Sequence, residues 1–363
     1  MSDYTTLEAV WFVLICVLWI GYFVLEGFDF GVGMLLRYLG RGNENRQAVL
    51  HTIGPVWDAN EVWLIVAGGA TFAAFPEWYA TLFSGFYLAL FLILAALIVR
   101  GVAFEFWGKD DRPAWRSTWE WAVIVGSFVP ALLWGVAWAN IIDGSPIDGD
   151  REFTGTLLDL LTPYALLGGV VTLLLFLAHG AVFLTLRLRG GMVERAAGVA
   201  RLAAPGAALA LAVFLGWTLI RQSDRGGVEI ASALCAVAAV VLAATVVLAL
   251  GRRPGIAFGL SAGAITLLFV ALFVDLFPNA MVSSTDSAFD ISLSEAASSP
   301  YTLKVMTVVA VLLLPFVLLY QGWSYWVFRH RVGPEDFGGV RTPLDLLDRS
   351  GEHGPGSARG QGR

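Results

Sequence analysis

The stretch GPVWDANEVWLIVAGGATF, residues 54–72, places the carboxylates of Asp58 and Glu61 in a segment that is otherwise apolar enough to enter a membrane. A second pair, Glu26 and Asp29, lies near the end of the preceding apolar run. A charge near the centre of a bilayer costs about 2.5–3.5 kcal/mol on insertion scales. Two such pairs on successive segments indicate a function, and a proton path is the chemistry that they favour.

The composition is that of an integral membrane protein. The chain is 57% hydrophobic and 14% charged, with a mean hydropathy of +0.72, whereas an average soluble chain is about 25% charged. Apolar runs of about 20 residues are long enough to cross a membrane as helices. We therefore predict an all-α, polytopic protein with one transmembrane domain (1–331), followed by a flexible cytoplasmic tail (332–363). The nine predicted transmembrane helices are at about 8–36, 54–75, 79–103, 118–142, 162–187, 199–220, 229–250, 255–277 and 303–327.

The positions of the basic residues predict the orientation of the chain. Lys and Arg accumulate in the cytoplasmic loops of membrane proteins. With the N-terminus outside, nearly all of them fall on the cytoplasmic side, including Arg100, which is counted there from the cytoplasmic end of the third predicted span. The exceptions are Arg151, Arg221, Arg225 and Lys304. We therefore predict that the N-terminus lies outside and the C-terminus in the cytoplasm.

The two carboxylate pairs are expected to meet. Glu26 and Asp29 have i, i+3 spacing in the cytoplasmic half of the first helix, and Asp58 and Glu61 have the same spacing at the start of the second. Residues with this spacing share a helix face, and the connection 37–53 is short enough to make the two helices neighbours. An alternative is that Asp58 and Glu61 only stabilise the positive end of a helix dipole. That alternative explains Glu26 and Asp29 poorly, because they lie near a helix C-terminus.

The residues that could bind a redox metal are few. Of the four histidines, only His179 lies clearly inside a predicted span, and the five methionines offer it no convincing partner as a haem ligand. We interpret His179 as a hydrogen-bonded packing residue and expect that this chain binds no metal or haem itself. Trp57 and Trp63 flank the acids, where they could line a narrow path or simply pack.

Motifs from the first predicted helix to the last resemble subunit II of cytochrome bd-type quinol oxidases, a family of terminal oxidases of the bacterial inner membrane. They are GFDFGVG (27–33), GPVWDANEVWLIVAGGATFAAFP (54–76), FSGFYLAL (83–90), GSFVPALLWGVAWAN (126–140), FPNAMVSST (277–285), AASSPYTLKVM (296–306) and YQGWSYWVFR (320–329). The resemblance implies two four-helix bundles plus one peripheral helix. It also implies an obligate heterodimer with subunit I, which holds the catalytic centre with two b-type haems and one d-type haem.

The resemblance further implies what the complex does. It oxidises quinol and reduces dioxygen to water without pumping protons, and subunit II supports subunit I and helps to deliver protons from the cytoplasm. A quinone or lipid within subunit II and small single-helix accessory subunits are further expectations.

The resemblance also assigns roles to individual residues. Asp58 is the first candidate for the proton path, followed by Glu26, Asp29 and Glu61, and Glu26 stands where the family more often has Asp. Trp57, Trp63 and Arg100 are expected to line the path or face subunit I. The chain's own residues leave open two other classes of protein, a proton-coupled secondary transporter and a purely structural membrane subunit.

Overall fold

The computed structural model describes residues 4–222, 228–250 and 253–337. They fold into helices, with one short antiparallel pair of strands, β1 (Asn279–Met281) and β2 (Ile291–Ser292). The helices are α1 (Thr6–Leu39), α2 (Asn43–Ile53), α3 (Trp57–Ala74), α4 (Pro76–Gly85), α5 (Tyr87–Phe106), α6 (Pro113–Asp143), α7 (Pro163–Arg187), α8 (Gly191–Arg221), α9 (Val228–Leu250), α10 (Pro254–Leu276), α11 (Leu293–Ala296) and α12 (Pro300–Val327).

Seven helices of the described residues are long and apolar enough to cross a membrane, namely α1, α5, α6, α7, α8, α10 and α12. Helices α3 and α9 occupy the other two predicted spans. The all-α, membrane-embedded character of the chain therefore agrees with the prediction.

The structure differs from the prediction in two places. The segment 37–53, predicted as a loop, contains helix α2, whose buried face includes Ala48, Val49 and Ile53. The predicted span 79–103 is divided at Phe86 into α4 and α5. Helix α4 begins at Pro76 because proline disfavours helical backbone in the residue before it, and Phe75 is indeed non-helical.

The bundle has two ends. We call the end that carries α2 the α2 end, and the opposite one the loop end, which is formed by 144–162 and 277–299. At the loop end the two segments bond to each other, since Ser145 donates its backbone N–H to Val282 at 2.9 Å and Arg151 pairs with Glu295 at 3.0 Å. Hydrogen bonds from Ser292 hold the pKa of Glu295 below its usual range. These long connections are therefore a folded cap.

Helix α1 lies at the centre and packs on α3, α6, α7 and α10. Gly31 of α1 and Gly180 of α7 bring their backbones together, because a Cβ on either would meet the other glycine's backbone within van der Waals contact. The space between α1, α6 and α10 is filled by aromatic rings, of which Phe23 and Phe269 stack at 3.9 Å between centroids. The interior of this part of the bundle is therefore solid protein.

Helix α12 lies on the periphery, against α1 and α3. Near the loop end, the indole N–H of Trp11 donates to Leu303 O at 3.1 Å and to Thr307 Oγ1 at 3.0 Å. Most of the apolar side chains of α12 are exposed, as in the case of Phe316 and Leu319. After α12, Val332 bridges to Leu188, and the greater part of the predicted flexible tail, 338–363, lies outside the described residues.

Candidate site: carboxylates and an arginine inside the helices

Arg100 of α5 joins carboxylates from two other helices. Its Nη1 donates to Glu26 Oε1 of α1 in a close ion pair, and the side chains of both residues have no exposed surface. The same nitrogen lies 3.2 Å from Glu61 Oε1 of α3, whose side chain is 21% exposed. Arg100 therefore joins two carboxylates, of which that of Glu61 reaches toward the surface.

The packing around Arg100 explains its burial. Gly126 of α6 lies against Arg100, where a Cβ would meet the Arg100 Cβ and the carbonyl of Ala96. The guanidinium carbon lies 5.0 Å from the Phe30 ring centroid and 5.4 Å from that of Phe104. Cations are attracted to aromatic faces at such distances. The site therefore compensates the guanidinium with two acids and two rings.

Asp29 lies one turn after Glu26 on α1 and is completely buried. The side-chain amide of Asn60 donates to Asp29 Oδ2 at 2.7 Å. In turn, Asn60 Oδ1 accepts hydrogen bonds from Tyr325 at 2.7 Å and from Gln321 at 3.4 Å, both on α12. Three helices thus meet around one amide.

The two tryptophans have different surroundings. Trp63 packs over Gly21 of α1, where any Cβ would overlap its ring, and its indole N–H donates to Gln321 at 2.9 Å. Trp57 lies nearer the α2 end, with its ring centroid 5.1 Å from that of Phe104. Both therefore contact groups that surround the acids.

Three of the four predicted acids come together in the structure, and the fourth does not. Glu26, Glu61 and Asp29 belong to the buried network, whereas Asp58 is exposed and makes no hydrogen bond or ion pair with the described residues. It precedes Glu61 by one turn of α3. The first candidate from the sequence is thus the outermost of the four.

Arg100 was predicted both as a path-lining residue and, by the charge count, as part of a cytoplasmic segment. The structure corrects the second prediction, since Arg100 lies inside α5 with its guanidinium fully buried. A count of basic residues cannot recognise such a position, because Arg100 is stabilised by acids that are distant in the sequence.

Sequence reasoning missed a second buried ionic group at the α2 end. The carboxylate of Glu120, in α6, lies 2.9 Å from Arg46 Nη1 and 3.5 Å from Arg37 Nε, and it accepts a hydrogen bond from the Trp107 indole at 3.3 Å. The available signal was an acid at the start of an apolar run, on the same predicted side of the membrane as the arginines of 37–46. This group fastens α2 to the bundle beside the candidate site.

Asn60, Gln321 and Tyr325 were also missed, although Asn60 stands between the two acids of the opening motif. The available signal was a set of uncharged polar residues inside apolar spans. On α12, Gln321 and Tyr325 have i, i+4 spacing and so share one face.

His179 does form hydrogen bonds within the packed interior. Its Nδ1 lies 2.7 Å from Ser261 Oγ and its Nε2 lies 3.2 Å from the carbonyl of Val24, while Phe258 stacks on the ring at 4.7 Å. Both ring nitrogens are engaged, so the residue does not fit an axial haem ligand. Within the described residues, no three His, Cys, Asp or Glu side chains are grouped to bind a metal ion.

The arrangement places titratable groups at different depths in the protein. Carboxyl groups can bind and release protons, and here they extend from the exposed Asp58 through the partly exposed Glu61 to the buried Glu26 and Asp29. A buried carboxylate needs a partner, and Arg100 provides one for Glu26. Fold and site together define a multi-pass helical membrane protein with a charged cluster inside its spans.

Comparison with known proteins identifies the family. The sequence model of the cytochrome bd terminal oxidase subunit II family matches residues 7–328, and the chain belongs to this family. It is 42% identical over 334 residues to cytochrome bd ubiquinol oxidase subunit 2 of Bacillus subtilis, with 91% of this chain and 98% of that protein covered. It is 36% identical over 370 residues to cytochrome bd-I ubiquinol oxidase subunit 2 of Escherichia coli K12, covering 93% of this chain and 98% of the relative.

A solved structure supports the fold. A chain of the bd oxidase from Geobacillus thermodenitrificans matches with a TM-score of 0.69 and 18% sequence identity, covering 89% of this chain and 99% of that chain. The protein is thus a subunit of a terminal oxidase, which is an oxidoreductase complex, and its family implies a partner subunit I.

Proposed function

We propose that this chain is the haem-free subunit II of a cytochrome bd-type quinol:oxygen oxidoreductase and that its buried acids carry protons toward subunit I. The observation that supports this role most is the cluster of Glu26, Glu61 and Arg100. Charged groups inside membrane spans are energetically costly, and where they occur they usually have a function. The exposure decreases from Asp58 through Glu61 to Glu26. This gradient is what a path from an aqueous surface into the protein requires.

In the proposed topology nine helices cross the bacterial inner membrane as two four-helix bundles, with α12 as the peripheral helix. The α2 end faces the cytoplasm, as the basic residues Arg37, Arg41 and Arg46 at that end favour. The N-terminus is then outside and the tail 332–363 is cytoplasmic.

In the proposed path, Asp58 receives protons at the cytoplasmic surface and Glu61 passes them inward to Glu26 and Asp29. Arg100 stabilises the ionised form of the acids, and Trp57 and Trp63 border the path or face subunit I. The protons are consumed when dioxygen is reduced to water in subunit I, and no pumping step is needed.

We propose that subunit I binds all the haems, two of b type and one of d type, and oxidises quinol. The geometry of His179 supports this division, because both of its ring nitrogens are already hydrogen-bonded. The filled interior between α1, α6 and α10 supports it further, since a flat cofactor would need space that aromatic rings occupy.

An apolar groove supports the proposal of a bound quinone or lipid tail. It has a volume of about 520 Å³, lies between α3, α4 and α5 and is lined by residues such as Phe72, Tyr79 and Phe91. Small accessory subunits complete the proposed set of partners, and the broad exposed face of α12 offers room for a single helix.

The first test concerns the haems. Replacing His179 with Ala should leave the haem content of the purified heterodimer unchanged, because the side chain is engaged in packing and not in ligation. Optical spectra of the reduced complex, normalised to protein, measure this directly. Loss of one haem with both subunits still assembled would contradict the claim that this chain ligates none.

The second test concerns the entrance of the path. We expect Asp58→Asn to slow oxygen reduction measurably but only several-fold, because Asp58 is exposed and water can reach Glu61 beside it. The loss of an unassisted relay group typically costs about 10²–10⁴-fold. The matched control is Glu105→Gln, which removes another exposed acid near the α2 end. Turnover is measured as oxygen consumption across pH, and equal rates for Asp58→Asn, the control and the native enzyme at every pH would exclude Asp58 as the entrance.

A further inference from the structure

We infer that Asn60 is a positioning residue for Asp29, which it holds by Oδ2 so that the exchangeable proton of that carboxyl resides on Oδ1. This inference rests on the proposed proton path, within which it assigns the proton-bearing atom. The four hydrogen bonds of the fully buried Asn60 side chain determine which end of the amide faces Asp29.

On the α12 side, Trp63 determines which atoms of the network donate hydrogen bonds and which accept them. An indole N–H can only donate, so the oxygen of the Gln321 side chain must be the atom that faces it, at 2.9 Å. The amide nitrogen of Gln321 is then left to donate to Asn60 at 3.4 Å. The atom of Asn60 on that side must be its oxygen, which also accepts the Tyr325 hydroxyl at 2.7 Å.

On the opposite side, Leu25 determines the orientation of the Asn60 amide independently. A backbone carbonyl can only accept, and that of Leu25 lies 3.5 Å from the other terminal atom of Asn60. This atom must be the amide nitrogen, and it is the one that lies 2.7 Å from Asp29 Oδ2. Two independent constraints therefore give the same orientation of the amide.

The orientation has a chemical consequence for Asp29. Because Asn60 presents an N–H, Asp29 Oδ2 must act as an acceptor and cannot also hold a proton directed at Asn60. The other oxygen, Oδ1, is buried and has no hydrogen-bond partner among residues 4–222, 228–250 and 253–337. When Asp29 is protonated, Oδ1 is therefore the atom that carries the proton and can pass it on.

Helix α12 is part of this device, because it contributes both donors to Asn60 Oδ1. Without Tyr325 and Gln321 only the long 3.5 Å hydrogen bond to Leu25 would hold the amide in this orientation. The amide could then turn over and present its oxygen to Asp29, and the proton would be held between the two side chains. The peripheral helix thus positions an acid that belongs to α1.

The test compares two replacements of similar size in the intact heterodimer with verified haem content. Asn60→Leu removes the donor to Asp29 and should lower turnover at least about tenfold at every pH, in the range of effects for misplaced proton-transfer groups. Asn60→Asp can accept from α12 with one oxygen and, when protonated, donate to Asp29 with the other. It should retain more turnover than Asn60→Leu, with an advantage that grows as the pH falls. Identical pH profiles for the two variants would overturn the inference.

A second pair of variants tests the role of α12 with a matched control. Tyr325→Phe combined with Gln321→Leu removes the donors to Asn60, and it should change the pH profile of turnover. Thr307→Val also removes a hydroxyl that bonds α12 to α1, but at the loop end, and it should leave the profile unchanged. Equal profiles for both would mean that α12 acts only as a scaffold.

Infrared difference spectra separate this inference from the proposed path. The carboxyl C=O band that disappears in Asp29→Asn is assigned to Asp29, and it should change position in Asn60→Leu but not in Thr307→Val. An unchanged band in Asn60→Leu would refute positioning by Asn60. A displaced band with native turnover would support the positioning and would instead refute the role of Asp29 in proton delivery.

Discussion

Replacing Arg100 with Gln is expected to destabilise the subunit severely. The change leaves the Glu26 carboxylate buried without its cation, because its pairing with Arg100 is the only ion pair that Glu26 makes among the described residues. Removing one partner of a buried ion pair typically costs about 3–5 kcal/mol, which is a large part of the stability of a domain. The yield of assembled heterodimer and its thermal unfolding should both fall.

Two further variants make this prediction specific. In Glu26→Gln/Arg100→Gln both partners are neutral, so no unpaired charge is buried at position 26. Assembly should therefore recover substantially, although turnover should not. The control Arg112→Gln breaks an exposed pair with Asp110, and it should change stability by no more than about 1 kcal/mol. Native stability of the single Arg100→Gln variant would show that the cluster does not hold the helices together.

Replacing Glu26 with Gln alone is expected to have the largest effect on turnover. Glu26 is the fully buried carboxylate in direct contact with Arg100, and water cannot replace it as easily as it can replace an exposed acid. We expect oxygen reduction to slow on the order of 10²-fold if proton transfer limits the rate. Arg100 keeps Glu61 as a partner at 3.2 Å, so the variant should still assemble with its full complement of haem.

The conservative replacement Glu26→Asp is the matched control, because it keeps the carboxyl and shortens the side chain by one methylene. It should retain most of the turnover that Glu26→Gln loses. Oxygen consumption is measured with artificial electron donors across pH, on enzyme with verified haem stoichiometry. Native turnover in the Glu26→Gln/Asp58→Asn double variant would eliminate the proton path and leave only a structural role for this subunit.

Local patterns in the sequence were sufficient for much of this architecture. The apolar runs predicted the helical membrane fold, and the i, i+3 spacing of the acids on α1 and α3 predicted that Glu26 and Glu61 would approach each other. Helix α2 was missed because it is short and polar on one face. The break at Phe86 was missed because the apolar run continues through it, and Phe153, which packs against Gly85 there, is distant in the sequence.

The site itself could be predicted only in part, because its geometry depends on contacts between distant segments. Periodicity could not distinguish Asp58 from Glu61, since their exposure is set by α5 and by the position of Arg100. Nor could it connect Asn60 with Gln321 and Tyr325, which lie at the other end of the sequence. These residues are polar in an apolar context, and that signal indicates importance without revealing the partner.

The attachment of α12 to Asn60 also bears on the order of events during biosynthesis. Among the described spans α12 leaves the ribosome last, yet it supplies donors to a network that contains residues of α1 and α3. Until it is inserted, the carbonyl oxygen of Asn60 lacks the partners that a nonpolar environment demands. The polar network therefore stays incomplete in the membrane for most of the time of synthesis. A nascent chain truncated before α12 should accordingly be recognised by membrane proteases as unfinished.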